Sequence, residues 1–385
     1  MPSDPHAITE DQADLLRITL LPGLGPILTR RAIDTLGSPR AVLEASRREL
    51  TSIRGVGART AGAIIDARPT IEDQLQRELD EANTIGARLL TLIDDDYPEL
   101  LKQIHDPPPV LFVRGDVNAI NSAFPLGIVG SRSATHYGIE QTDRFASALA
   151  QAGLCVVSGG ARGVDTAAHR ATLRVHGCAV AVLGCGLAQC YPPENQPLFD
   201  EIACNGGAVI SELPMRTGPH ADNFPARNRI ISGLSLGTLV IEAPKRSGAL
   251  ITARLAAEDH GREVFALPGR VDSPTSRGCL NLITQGGAHM VVDPGDILDM
   301  LEAPARRHSI DRADPTQSEP EQPKIDLSAL SESQRRIIES LDSPGSFDEI
   351  VRRTGLDAGV VRSETTMLEL QRFVVRRGDR FELVI

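Results

Sequence analysis

The sequence predicts an α/β protein in which a doubly wound, mainly parallel sheet carries a helical unit before it and a small helix-and-hairpin unit after it. Three observations predict this. From about residue 86, short apolar, β-branched runs alternate with amphipathic stretches, the pattern of parallel strands covered on both faces. Before them, a glycine motif recurs at a short interval. The last 60 residues read as three helices and a two-strand hairpin.

The chain of 385 residues has room for two or three domains. The boundaries read as 1–70, 71–302, a linker at 303–325, and 326–385. In the first, LPGLGPILTRRAI (21–33) matches IRGVGARTAGAII (53–65), with Gly23 and Gly25 answering Gly55 and Gly57. An apolar residue, G-x-G and an amphipathic run make a helix-hairpin-helix. Its glycines either open helix N-termini toward a phosphate, with Arg54 and Arg59 beside the second copy, or let two helices pack closely. In the second, the strands are ARLLTLI, PVLFVRG, PLGIVG, LCVVSG, AVAVLGCG, AVISEL, TLVIEA, EVFALPG and HMVVD. The 303–325 stretch, rich in Pro, Asp, Glu and Ser, lacks apolar period and reads as a flexible linker. In the last domain SESQRRIIESL opens on a serine cap. FDEIVRRTGL and DAGVVRSETTMLELQRF turn at Gly355, and FVVRRGDRFELVI folds back at Gly378-Asp379. That is a winged helix. Its presumed recognition helix sets Arg362 and Arg372 against Asp357, Glu364 and Glu369, a surface suited to a protein contact more than to duplex phosphates.

The net charge of −11 argues against a non-specific polyanion binder, but its distribution matters more. Residues 127–300 hold 14 Lys/Arg and 16 Asp/Glu, so a few converging arginines would set the local potential there. No apolar run reaches the roughly 18 residues of a membrane span, and MPSDPHAITE has no leader-like character. The six cysteines, without a C-x-x-C pair, read as reduced and mostly buried thiols of a cytoplasmic protein. Neither a metal nor a cofactor is expected.

Ligands of an open parallel sheet bind beyond the strands' carboxyl ends. There the sequence places Ser131 and Arg132; Ser158, Gly159, Gly160 and Arg162; Lys245, Ser247 and Gly248; and Arg270. Glycines admit backbone amides to an oxyanion and arginines supply paired donors. Taken singly, any of these arginines can instead be solvated or paired, for example with Glu242 or Asp165. In FPARNR, a helix starting near Ala226 would hold Arg227 and Asn228 in its first turn. Arg227 and Arg229 oppose the helix dipole there unless an anion sits between them. Phe224 serves either as a stacking surface for a base or as a hydrophobic staple. Asp165 and His169 lie one turn apart without a third ligand, so a helix cap and a structural histidine are the expected roles, and no catalytic residue is expected.

The motifs GSR, SGGARGVDTAAH, GCGLAQCYPPEN, FPARNRIISGLS, EAPKRSGALITA, LPGR and GCLNLITQGGA, in this order over roughly 88–300, resemble the DprA/Smf family of DNA-processing proteins. The resemblance implies an extended Rossmann fold that binds single-stranded DNA, forms a homodimer and loads the RecA recombinase during natural transformation. It implies that Arg132, the SGGARG loop, Phe224, Arg227, Asn228, Lys245, Ser247 and Gly248 form the DNA pocket. One departure is GPHADN before FPARNR, where relatives are often basic and this chain has Asp222 and only His220. A two-fold pair needs a self-complementary apolar patch. The end of the sheet around Leu280, Leu282, Ile283 and His289 is the expected place, with packing inside the domain as the alternative. A phosphoribohydrolase acting on nucleoside monophosphates is the competing reading, but its P-G-G-x-G-T-x-x-E loop is missing: Gly237-Thr238 is followed by Leu-Val-Ile-Glu242.

Overall fold

The structure is a computed structural model and describes residues 8–311, 330–341, 343–370, 373–377 and 380–383. All nine apolar runs become strands: β1 Ala87–Thr91, β2 Val110–Gly115, β3 Pro125–Val129, β4 Cys155–Ser158, β5 Ala179–Val182, β6 Ala208–Ser211, β7 Gly237–Val240, β8 Glu263–Ala266 and β9 His289–Met290. They form one sheet in the order β1-β2-β6-β5-β4-β3-β7-β8-β9. From β6 to β9 neighbours are parallel, whereas β1–β2 and β2–β6 pair antiparallel. An apolar run carries no information about direction, so that antiparallel extension was not readable.

Strands β3 to β7 are buried at every residue, as a sheet covered on both faces requires. On one face Leu126 and Ile128 pack with Phe145 and Leu149 of the helix His136–Gln151. On the other, Val157 and Val180 pack with Ile230, Ile231 and Leu234 at the helix Asn223–Gly233. The chain leaves β3 for β4 in one direction and β7 for β8 in the other. β3 and β7 are themselves paired, so the switch point and its crevice lie between their carboxyl ends.

In the N-terminal unit the two glycine motifs interlock. A Cβ on Gly23 would stand 2.9 Å from Thr60 Cγ2, and one on Gly55 2.8 Å from Leu28 Cδ2, so each turn lies against the opposite copy. Both glycines also take positive φ, 81° and 103°. Close packing of the two copies therefore accounts for them. The helix Ile71–Thr84 ties this unit to the sheet edge, since Leu75 and Ala82 share a cluster with Leu16, Leu89 and Phe112.

The linker expected at 303–325 is corrected at its start. The helix Pro294–Asp311 runs through Pro304 because its buried stripe, Ile297, Leu298, Leu301, Ala305 and His308, continues past the proline. Residues 312–325 lie outside the described residues. The winged helix has helices Glu332–Ser340, Phe347–Thr354 and Ala358–Leu370. Strands β10 Gly345–Ser346, β11 Val374–Arg377 and β12 Arg380–Leu383 pair in the order β10-β12-β11. The expected serine cap is Ser331, boxed with Gln334, and Gly355 closes the second helix at φ 64°. β10 is a third strand beyond the hairpin; the turn at Gly378-Asp379 and Arg372 lie outside the described residues. The helix Ala358–Leu370 packs on the helix Pro294–Asp311, with Met367 joining the β3-side core cluster. Burial pushes the Asp299 carboxyl up, and the charges of Arg362 and Arg376 act against that.

Candidate nucleic-acid interface

A cleft of about 780 Å³ opens at the switch point. Its walls are held by backbone. The Ser131 amide donates to the Glu242 carbonyl at 2.6 Å, joining the loops after β3 and β7. Gly163, at φ 77°, lies so close to the β3 loop that a Cβ there would stand 2.2 Å from the Ser131 carbonyl oxygen. Any side chain at 163 would push the loops apart.

The FPARNR helix begins at Asn223, three residues before the expected start, so Arg227 and Asn228 are its fifth and sixth residues and lie beyond its first turn. Arg227 turns, buried, under the carboxyl ends of β4 and β5 and donates to the carbonyls of Gly159 (2.6 Å) and Val182. Gly159 is glycine because the guanidinium stands where its Cβ would be, 2.6 Å from Nη2. Burial lowers the Arg227 pKa to about 10, while Asp165 opposes the shift. Asn228 Nδ2 donates to the Gly248 carbonyl at 3.3 Å. Arg229 leaves the cleft altogether. Its fork binds both oxygens of Glu212 (2.7 and 2.6 Å) and its Nε reaches Asp106 at 3.0 Å. The anion that the Arg227–Arg229 pair calls for is, at Arg229, supplied by two carboxylates from distant loops. The expectation that both arginines flank a ligand phosphate is corrected accordingly.

Other expected site residues are also engaged within the protein. Ser158 is buried at the end of β4 and donates to the Ile128 carbonyl at 2.6 Å, so its hydroxyl is spent between strands. The Gly160 carbonyl accepts from Asn195 Nδ2 at 2.9 Å. Ser247 caps the helix Gly248–Arg254 through the Ala249 amide. Arg270 is paired with Asp272 on the surface. Glu242 is buried and accepts from the Thr135 amide and hydroxyl and from Thr275 Oγ1.

The rim is different. Exposed Arg132 stacks over the Phe224 ring at 4.9 Å. Phe224 meets Tyr191 at 5.4 Å between ring centres, and Tyr191 lies under Arg162 at 5.8 Å. Cation, ring, ring and cation thus succeed one another along the mouth. Arg162 is also forked onto Glu194, whereas Arg132 pairs with no carboxylate among the described residues. Lys245 is exposed but does not line the cleft; its neighbour Arg246 does. Sequence reasoning missed Tyr191 and Arg246. The available signals were a tyrosine, one of three in the chain, in the loop after β5, and a second cation in PKRSG.

Of the residues expected at a two-fold contact, Leu282 and Ile283 pack against the domain's own core and Leu280 is half-buried. His289 stands on the outermost strand beside Glu263. Around it Met290 and Val292 are 55% and 58% exposed. The cysteines are free thiols; Cys155, Cys185 and Cys279 are buried, Cys178 and Cys190 half-buried, and Cys204 exposed. No described helix is long and apolar enough to cross a membrane.

Asp165 is not a helix cap: it sits within the helix Val164–Arg174 and accepts the Ala161 amide at 3.3 Å, holding the SGGARG loop. Burial raises its pKa to about 6, with Arg227 opposing. Unfolded, it titrates near 3.9. Between these values the folded chain holds a proton the unfolded chain has lost, so stability present below pH 4 is lost as pH rises through about 6. Buried His169, lowered to about 3 by burial and then Arg227, has the opposite slope, its contribution being lost as pH falls below about 6.5. Comparing wild type with Asp165→Asn isolates the first effect. The wild type should lose on the order of 2–3 kcal/mol relative to the variant between pH 4 and 7. Parallel denaturation curves for the two proteins over this range would refute the assignment.

Comparison with known proteins bears on the whole chain. A family model described as DNA recombination-mediator protein A matches residues 88–302. A DprA winged helix domain model matches 318–380, and a SAM-like helix-hairpin-helix tandem matches 13–68. Protein Smf of Synechocystis sp. is 36% identical over 396 residues, covering 97% of this chain and 98% of that one. DNA processing protein DprA of Bacillus subtilis is 39% identical over 228 residues, covering 59% and 76%. The structure of Streptococcus pneumoniae DNA processing protein A superposes with a TM-score of 0.65 at 33% identity, over 76% of this chain and 98% of its own. That of Helicobacter pylori DNA processing protein A, described for its single-stranded DNA binding mode, gives 0.50 at 30%, over 55% and 95%.

Proposed function

The chain belongs to the DprA/Smf family of DNA-processing proteins, and on that premise we propose that it binds single-stranded DNA in the switch-point cleft. One observation carries the reading: the run Arg132, Phe224, Tyr191 and Arg162 along the cleft mouth. A single strand offers alternating phosphates and unstacked bases, and such a run offers cations and rings to match. Arg246 on the opposite loop adds a further charge. Phosphate contacts carry no sequence information, so little base preference is expected. The pocket residues are then Arg132, Phe224, Tyr191, Arg162 and Arg246 at the surface, with Ser131, Arg227, Asn228 and Gly248 shaping it. A phosphoribohydrolase is disfavoured because Glu242, the carboxylate nearest to that motif, is already occupied by three donors.

On this reading the protein is a cytoplasmic, non-enzymatic mediator that protects incoming strands and hands them to the RecA recombinase in natural transformation. It would act as a homodimer, joined at the β9 end of the sheet where Met290 and Val292 are uncovered. Two clefts on one strand would gain affinity through effective concentration. The test is fluorescence anisotropy with labelled oligo(dT), competed by unlabelled oligo(dT), duplex DNA and AMP. Oligo(dT) should compete at least tenfold better than duplex of equal length, since an open single strand alone presents its ring faces. Equal competition by duplex would move the binding to another surface. Competition by AMP at oligonucleotide concentrations would favour the metabolite enzyme.

A further inference from the structure

We infer that the strand does not end at the cleft but continues into a second groove, between the helices His136–Gln151 and Val164–Arg174, which takes the next few nucleotides of single-stranded nucleic acid. This rests on the cleft reading above. The groove, of about 400 Å³, is lined by Ile139, Arg162, Gly163, Ala167, Arg170 and Arg174, with Asp143 and Glu194 at its sides. It starts where the cleft stops: Ala161 lines the cleft, and the next two residues line the groove. Arg162 spans the junction, its guanidinium over Tyr191 on the cleft side.

Along the groove, Thr166, Arg170 and Arg174 follow one another at four-residue steps on one helix face. Each step rises about 6 Å, comparable with the spacing of successive phosphates on an extended strand. Arg170 is exposed and has no carboxylate partner among the described residues. Arg162 and Arg174 are paired with Glu194 and Asp143, but all four side chains are roughly half exposed. Such pairs are worth about 1 kcal/mol or less, so an incoming phosphate, which forks onto arginine as well as a carboxylate does, displaces them at little cost. Ile139, 37% exposed, with Ala167 and Gly163, supplies an apolar floor on which a base can rest.

Oligonucleotide length separates the two sites. Wild type and the Arg170→Ala/Arg174→Ala variant are titrated with oligo(dT) of six and of twenty nucleotides over a range of salt. The six-mer should bind both proteins within twofold. The twenty-mer should bind the variant about tenfold more weakly, with a log-affinity against log-salt slope shallower by roughly 1.4, two contacts at about 0.7 each. Equal twenty-mer affinity and slope in the two proteins would overturn the second groove and leave the cleft standing. Failure of the wild type to bind the six-mer would overturn the cleft reading and this one with it.

Discussion

Arg229→Ala is expected to destabilise the chain by about 3–5 kcal/mol, the cost of removing one partner from a buried charge cluster. Arg229 is buried at 6% exposure and holds three pieces of chain together. Glu212 follows β6, Asp106 precedes β2, and the arginine itself rides on the helix behind the cleft. Burial works against its charge, yet Glu212 and then Asp106 raise its pKa above the usual arginine value. Truncation would leave the Glu212 carboxylate, 14% exposed at its side chain, without its bidentate partner. The double variant Arg229→Met/Glu212→Leu removes both charges and should recover much of the loss, as apolar replacements of buried pairs do. Chemical denaturation measures both. If Arg229→Ala unfolds like wild type but binds oligo(dT) weakly, then Arg229 belongs to the anion site and its ion cluster is secondary.

This residue also marks where sequence reading stops. The four strand-end loops that carry the expected site residues were legible because apolar runs locate parallel strands, and their carboxyl ends are where such sheets bind ligands. The glycine turns and the winged helix were legible from local turn and cap chemistry, whereas the locking of each turn against the opposite copy was not. Which way each arginine points was not. Arg227 and Arg229 are two residues apart, yet one goes to carbonyls at the ends of β4 and β5 and the other to carboxylates 17 and 123 positions away. A helix turns about 200° over two residues, but no local pattern says what waits on either side. Tyr191 was hidden for the same reason, since its contact with Phe224 joins the loop after β5 to the first turn of the helix after β6. At 303–311 composition misled: Pro304 and nearby charges suggested a linker, while the decisive signal was the three- and four-residue spacing of Leu301, Ala305 and His308.

At the cleft mouth, Arg132→Ala and Phe224→Ala should each weaken oligo(dT) binding by roughly tenfold or more, and the double variant by less than their product. A base stacked on an aromatic ring contributes about 1–3 kcal/mol, roughly five- to 150-fold at 1.4 kcal/mol per factor of ten. Arg132 meets no carboxylate among the described residues; the described interaction that orients it is the face of Phe224 at 4.9 Å, worth about 0.5–1 kcal/mol at an exposed site. Removing the ring therefore also releases the cation, and neighbours that share a partner do not add. The salt dependence divides the two roles. Arg132→Ala should flatten the log-affinity slope by roughly 0.7, one phosphate contact on a single strand. Phe224→Leu, which keeps an apolar side chain over Gly184, should lose affinity with the slope nearly unchanged. Strictly additive losses would mean that ring and cation act on separate parts of the strand. Wild-type binding by all these variants would remove the cleft mouth from DNA recognition, because no other part of the proposed site combines an unpaired cation with a ring.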